Sequence, residues 1–306
     1  DSIKQKVSSW FYDMRDIPFI CYSGETGYHD VIIATWWVAA YFLKKNCDKA
    51  LVPIYLVQDY ESSFYPVSSK YIMADNTYRM GFSCICSGRW MGKYLIERYG
   101  ADAASFQFPV NTNIYNLKSD AKRYKDKRII FFAKPEMPRR CYEIGLQALS
   151  VFSKLKPNVE IVLFGSPEIE PKKIPFKAVC KKLVPAIEDL ADIYRSANLG
   201  LVFSTTNPSL VPYEMIACGC PVVDIDMDMA LEKYGGNDNN VFLLAPDPDE
   251  MGKELARIID DEELLRRHQE AGMRWVANEF PTEDEMGQRV EELIIKRIKT
   301  GSIKDE

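Results

Sequence analysis

Two stretches of the chain concentrate groups able to bind and polarise an anion. The first, Phe132-Ala133-Lys134-Pro135-Glu136-Met137-Pro138-Arg139-Arg140, lies between an apolar strand-like run and a helical one. Pro138 suits the first turn of a helix. Lys134, Arg139 and Arg140 therefore gather where backbone N–H groups already carry partial positive charge. Like charge on like dipole is repulsive unless an anion sits between them, and the chemistry this suggests is phosphate or diphosphate binding. Long cationic side chains can instead run out into water. The second stretch, Ser204-Thr205-Thr206-Asn207-Pro208-Ser209-Leu210-Val211-Pro212-Tyr213-Glu214, leads from a strand into a helix. Thr206, Asn207, Ser209, Leu210 and Val211 offer hydroxyl, amide and bare backbone N–H groups suited to sugar hydroxyls and phosphate oxygens. Glu214 falls in an otherwise apolar helical run. A buried carboxylate needs donors, and two vicinal ribose hydroxyls would supply them; a Glu facing the helix dipole is the plainer reading. A third loop, Gly165-Ser166-Pro167, lets a ligand approach the backbone.

Other chemistry-bearing groups are weaker. Asp224, Asp226 and Asp228 alternate in an extended run, which points three carboxylates to one side, as a divalent ion would require. Such short motifs are frequently accidental. His29 and His268 lie too far apart in sequence to suggest a zinc site, and His29 and Asp30 read as turn or packing residues ahead of a strand. Trp36, Trp37, Tyr41 and Phe42, with Tyr60, Phe64 and Tyr65, form an aromatic set that could stack on sugars. Trp37 and Phe42 are expected in the core. Thr35 and Trp36 sit at a strand-to-helix junction and are the acceptor-side candidates.

The elements that must position these groups form two series of strand–helix units. Apolar runs over 19–22, 31–34, 53–57 and 84–86 predict strands in the first half, with helices over 36–45 and 91–99. A charged stretch, 118–127, reads as a linker. Beyond it, strands are predicted over 128–133, 159–164, 199–203, 221–225 and 241–244, and helices over 140–154, 187–194 and 213–218. Near-continuous apolar strands alternating with helices imply an α/β fold with parallel sheets covered on both faces. Ligands in such sheets bind at the carboxyl ends of the strands.

Composition sets the bounds. The 306 residues suggest two domains. Hydrophobic residues are 47% and charged residues 27%, which excludes disorder as the main state. With 39 Lys+Arg against 44 Asp+Glu the net charge is -5, so a non-specific nucleic-acid partner is not expected. Eight cysteines without a C-x-x-C spacing read as free thiols of a reducing, cytoplasmic setting. The longest apolar stretch, 31–43, is shorter than the roughly 20 residues a bilayer requires. The sequence opens on Asp1 rather than Met, with no signal peptide, and reads as a piece of a longer chain.

Val211-Pro212-Tyr213-Glu214-Met215-Ile216-Ala217-Cys218-Gly219-Cys220-Pro221-Val222-Val223 resembles the donor-site signature of glycosyltransferase family 4, of GT-B fold. Phe108-Pro109-Val110-Asn111-Thr112 with Tyr115, and Leu190-Ala191-Asp192-Ile193-Tyr194, fall in the family's order. Gln58-Asp59-Tyr60-Glu61, Phe64-Tyr65-Pro66 and Thr206-Asn207-Pro208-Ser209 resemble its rhamnosyltransferase branch. The resemblance covers about residues 50–280. It implies two Rossmann-like domains facing a cleft: an N-terminal acceptor-side domain (1–117), a linker (118–127), a donor domain (128–280), and a final helix (281–306) returning to the N-terminal half. It also implies retaining transfer of a sugar, rhamnose in that branch, from a nucleotide-diphosphate donor to a glycan or lipid-linked polysaccharide, without metal or other cofactor. Lys134, Arg139 and Glu214 then carry the catalytic weight. Arg140, Gly165, Val184, Thr206, Asn207, Ser209, Leu210 and Val211 join Glu214 around the donor, and Thr35, Trp36, Asp59 and Tyr60 lie on the acceptor side. A polysaccharide acceptor would bring a cytoplasmic enzyme to the inner face of the cell membrane.

The sequence departs from the family twice. Its motif places a Glu eight residues before Glu214, where this chain has Thr206, and the Gly-rich loop after the first strand is only partly matched by Gly24-Glu25-Thr26-Gly27, so the N-terminal domain reads as shortened. A non-catalytic nucleotide-sugar or carbohydrate-binding module, and a sugar-nucleotide epimerase, are the alternatives.

Overall fold

A computed structural model of the protein describes residues 26–118 and 127–304. The strand expected over 19–22, Gly24 and Glu25 of the partial glycine loop, and 119–126 of the linker lie outside the described residues. In the first half, β1 (His29–Ala34), β2 (Ala50–Val57), β3 (Ser83–Ser87) and β4 (Asp102–Phe106) form a parallel sheet in the order β1-β2-β3-β4. Helices α1 (Trp37–Lys45), α2 (Ser69–Thr77) and α3 (Arg89–Tyr99) connect them. His29 and Asp30 turn out to be the first two residues of β1 rather than a preceding turn.

The second half holds β5 (Arg128–Phe132), β6 (Glu160–Phe164), β7 (Val179–Lys182), β8 (Leu199–Leu201), β9 (Val222–Ile225) and β10 (Phe242–Leu244), parallel in the order β10-β9-β8-β5-β6-β7. Helices α4 (Tyr142–Leu155), α5 (Ile187–Arg195), α6 (Val211–Ala217), α7 (Ala230–Lys233) and α8 (Pro248–Ile258) cover it. All residues of β8 and β9 are buried, which requires helices on both faces. The layers meet closely: a Cβ on Gly145 of α4 would lie 2.2 Å from the Phe131 ring of β5.

Several elements escape the sequence reading, three of them for evident physical reasons. β4 reads Asp-Ala-Ala-Ser-Phe, whose small residues carry little apolar signal. β7 ends in two lysines at the open edge of its sheet. α2 has no apolar stripe, and is started instead by Ser68, whose side chain accepts from the Tyr71 N–H.

Helix α9 (Glu262–Glu279) runs against α6 of the second domain, and α10 (Glu283–Thr300) then crosses back to the first. The turn between them is fixed by a capping box, in which Thr282 and Glu285 satisfy each other's backbone N–H groups. Leu293 and Ile303 are buried against Val52, Ile54, Ile85, Ala104 and Phe106 of the N-terminal sheet. Arg297 Nε donates to Ser83 Oγ at 2.8 Å, and the Ile303 N–H to Asp102. The N-terminal sheet therefore completes its second face with residues from the end of the chain. Leu293→Ala is expected to destabilise the protein by about 2–5 kcal/mol, the cost of a core Leu→Ala cavity, measured by urea unfolding.

Candidate active site in the interdomain cleft

The carboxyl ends of the two sheets face one another. Thr35 and Trp36 follow β1, Gln58 and Asp59 follow β2, and Gly88 follows β3; opposite them stand the loops after β5 and β8. Between the two sets lies a cavity of about 1140 Å³. That is somewhat above the volumes that hold one small ligand, about 300–1,000 Å³.

Asn207 joins the two walls. Its backbone N–H donates to Asp59 Oδ1 at 2.8 Å, and its Nδ2 donates to the Gln58 carbonyl at 2.9 Å. Trp90 Nε1, at the start of α3, donates to Asn207 Oδ1 at 2.8 Å. On its own side, the Asn207 carbonyl accepts from Ser204 Oγ at 3.0 Å and from Arg140 Nη1 at 3.5 Å. The neighbouring Thr206 hydroxyl donates to Asp59 Oδ2 at 3.0 Å. Asp59 also accepts from the Tyr60 N–H at 2.7 Å and faces Arg139 Nε at 4.0 Å. Burial pushes the Asp59 carboxyl above the ordinary range, while the bonds from Asn207, Thr206 and Tyr60 and the charge of Arg139 pull it back. This corrects the reading of the loop as an open nest for a sugar: Thr206 is buried with its hydroxyl already committed, and Asn207 is spent on the other domain. Asp59 lines the cavity, but as a cross-cleft bond acceptor.

The cations divide. Arg139 and Arg140 line the cavity, in the short turn Pro138–Arg140 ahead of α4. The Arg139 guanidinium lies over the Phe64 ring of the other domain at 4.4 Å. Arg140 is 5% exposed, and its burial, with the charge of Arg139, lowers its affinity for its proton. Arg139 Nε, Arg140 Nε and Ser209 Oγ are buried without hydrogen-bond partners. Lys134 does not reach the cavity. Its Nζ pairs with Glu136 at 3.2 Å over the Phe132 ring, and Glu136 accepts from Ser166 Oγ at 2.7 Å. The three cations thus do not share one site as expected.

Ser209 and Leu210 line the cavity; Val211, Glu214, Gly165 and Val184 do not. Glu214, on α6, faces Tyr194, whose hydroxyl donates to it at 3.4 Å, and burial pushes its carboxyl up to about 7. Gly165 has φ +107, and a Cβ there would fall 2.6 Å from the Phe132 ring, so its missing side chain makes room for Phe132. Val184 lies in the loop after β7.

On the acceptor side, Thr35 and the half-exposed Trp36 line the cavity. Trp37 is buried and donates from Nε1 to the Tyr65 hydroxyl at 3.0 Å. Phe42, expected in the core, is 46% exposed, because α1 turns that face outward. Tyr60 is not an acceptor residue: it is buried, stacked on Tyr78, with its hydroxyl donating to Asp75 at 2.8 Å. The run Asp224-Ile225-Asp226-Met227-Asp228 does not point three carboxylates together. Asp224 is buried in β9 and accepts from the Ser204 N–H, the Ile225 N–H and the Tyr234 hydroxyl at 2.8–2.9 Å, whereas Asp226 and Asp228 are exposed. Among the described residues no group of three His, Cys, Asp or Glu is placed to hold a metal ion. Trp90 and Lys233 are among the cavity residues that the sequence reading missed. Trp90 carried a usable signal, standing two residues after Gly88 at a strand-to-helix junction; Lys233, in a four-residue helix, carried none.

Two parallel α/β domains whose strand ends face a shared cleft, with the last helix recrossing to the first domain, make a GT-B fold. The comparisons with known proteins agree. Residues 127–256 match the family model described as the C-terminal domain of WsaF, and residues 24–86 match that of its N-terminal domain. The chain is 31% identical over 201 residues to the O-antigen biosynthesis protein RfbC of Myxococcus xanthus; this covers 64% of the chain and 16% of the relative, so the chain spans about a sixth of that protein's length. Among solved structures, Anabaena HepE in complex with UDP-glucose superposes with a TM-score of 0.70 at 16% identity, covering 87% of this chain and 79% of that one. Sucrose-phosphate synthase from Thermosynechococcus elongatus gives 0.67 at 17% identity, covering 87% and 74%. The chain therefore has a GT-B fold, and over residues 24–86 and 127–256 it is similar to the two domains of WsaF.

The raised Glu214 carboxyl has a consequence for stability. Between its ordinary 4.5 and about 7 the folded protein holds a proton that the unfolded chain has released, so stability from this group is full below the window and is lost as pH rises through it. The stability difference between the wild type and Glu214→Gln is expected to move against the wild type by about 1–3 kcal/mol from pH 4.5 to about 8. Urea unfolding at a series of pH values measures it. Glu61 and Asp224, held up to about 7 and about 6 by burial, titrate in both proteins and cancel.

Proposed function

We propose that the protein transfers a sugar from a nucleotide-diphosphate donor to a hydroxyl of a glycan acceptor, with retention of anomeric configuration and without a metal ion. The observation that carries this is the set of buried atoms without hydrogen-bond partners, Arg139 Nε, Arg140 Nε and Ser209 Oγ, in residues that line the cleft. Buried polar groups are almost always hydrogen-bonded, so such a set is completed by a ligand rich in acceptor oxygens. A diphosphate is that ligand. When the bond from the anomeric carbon to the diphosphate oxygen breaks, its electron pair stays on that oxygen, and fixed cations favour the developing charge. The acceptor hydroxyl oxygen bonds the same carbon, and its proton passes to the departing phosphate. Cations already in place supply the charge neutralisation that a divalent ion would otherwise provide, which supports the metal-independent reading.

Glu214 is assigned to the donor ribose and Lys134 to the nucleotide end of the diphosphate, next to the Gly165–Ser166 turn. Trp36 and Thr35 receive the acceptor. A UDP-sugar complex in HepE and the O-antigen role named for RfbC support a nucleotide-sugar donor and a polysaccharide acceptor. The rhamnosyl variant rests on the Gln58–Glu61 and Thr206–Ser209 resemblance. No described helix is long and apolar enough to cross a membrane; a lipid-linked acceptor, met at the cytoplasmic face, is part of this proposal. A non-catalytic binding module is the second reading, favoured by the commitment of Thr206 and Asn207 to the opposite domain; turnover of donor in the presence of glycan separates the two.

Isothermal titration with UDP and a panel of nucleoside diphosphates tests the site. Arg139→Ala and Arg140→Ala are each expected to weaken binding by about 1.5–3 kcal/mol, the scale of a charged hydrogen bond, or about ten- to a hundred-fold. If both variants bind like the wild type, the diphosphate reading is wrong.

A further inference from the structure

Lys233 is a buried cation of the cavity wall that no sequence motif singled out. It ends α7, is 7% exposed, and lies with its Nζ 5.1 Å from the centre of the Trp90 ring, on the opposite domain. Among the described residues its Nζ makes no hydrogen bond and no ion pair. The nearest carboxylates do not serve it. Asp224 is occupied by two backbone N–H groups and the Tyr234 hydroxyl, and Asp59 by Thr206, Asn207 and Tyr60. A buried ammonium without a hydrogen-bonded counter-charge is costly. A cation–π contact recovers only part of that cost. Burial favours losing the proton and outweighs the pull of the Asp224 and Asp59 charges, with a smaller push from Arg140 in the same direction as burial. The group is held from below as well, since the Lys233 carbonyl accepts from the buried Tyr213 hydroxyl at 3.1 Å.

A cation kept in such a place and facing the same opening as Arg140 and the unpartnered Ser209 hydroxyl implies an anion between them. We propose that Lys233 is a further contact of the diphosphate, on the phosphate that carries the sugar, and so acts on the oxygen that receives the electron pair when the sugar leaves. Its place against Trp90 puts it toward the acceptor domain. This assignment rests on the diphosphate reading of the cleft and extends it to a residue outside the basic loop.

The test uses inorganic pyrophosphate as the probe, titrated into the wild type, Lys233→Met, Lys233→Gln and Lys233→Arg, each first checked for folding by circular dichroism. Lys233→Met and Lys233→Gln are expected to weaken pyrophosphate binding at least ten-fold, and Lys233→Arg to recover most of the loss. In transfer assays with a donor identified by the nucleotide panel, the Met and Gln variants should lose more in kcat than they gain in donor KM, a split that a purely structural role would not produce. Whichever neutral variant folds suffices. A folded neutral variant that binds pyrophosphate like the wild type overturns the Lys233 assignment while leaving the diphosphate site standing. A wild-type protein that does not bind pyrophosphate overturns the diphosphate site itself, and Lys233 with it.

Discussion

The architecture turns on one side chain reaching across a gap. Asn207 belongs to the loop after β8, yet three of its polar contacts are with Gln58, Asp59 and Trp90 of the other domain. These bonds are shielded by the walls of the cleft, where a hydrogen bond is stronger and an unmade one more costly than in water. They set the distance between the two strand-end rims, and so the shape of the space in which Arg139, Arg140 and Lys233 face Trp36 and Trp90. Asp59 is the complementary part. It accepts from Asn207 and Thr206 and stands 4.0 Å from Arg139, so the same carboxylate holds the domains together and partly neutralises the anion-binding wall.

Much of this was legible in residue order, and what was not has identifiable causes. The apolar strands β5, β6 and β9 announce themselves because a parallel strand buried on both faces needs unbroken hydrophobic runs. β4 and β7 do not, since one is built of small residues and the other ends in lysines at a sheet edge. The basic loop was visible as a charge cluster, but composition could not tell that Lys134 would turn to Glu136 while Arg139 and Arg140 turned inward. The hydroxyl-rich loop was visible as a set of donors and acceptors. Their partners were not, because the groups that bond Thr206 and Asn207 lie about 150 residues earlier in the chain. Lys233 is the extreme case: only the fold brings it to Trp90.

Burial gives the cleft much of its chemistry. Asp59 and Glu61, both on the cavity wall, have carboxyls pushed upward by desolvation, and Arg140 and Lys233 are pushed the opposite way for the same reason. Perturbed groups of both signs around one cavity are typical of sites whose charges are completed by a ligand. Here the acidic groups have found protein donors. The basic ones include the unpaired atoms, and this asymmetry is what points to an anion.

The polypeptide passes between the domains twice, once through 107–127 and again at Phe280–Thr282. Phe280 packs on Tyr213 and Trp275, with ring centres 4.8 and 5.2 Å away, and Tyr213 belongs to the helix that follows the Asn207 loop. The second crossing is thus clamped to the helix that carries Glu214, so that helix and the return of the chain to the first domain share one aromatic anchor.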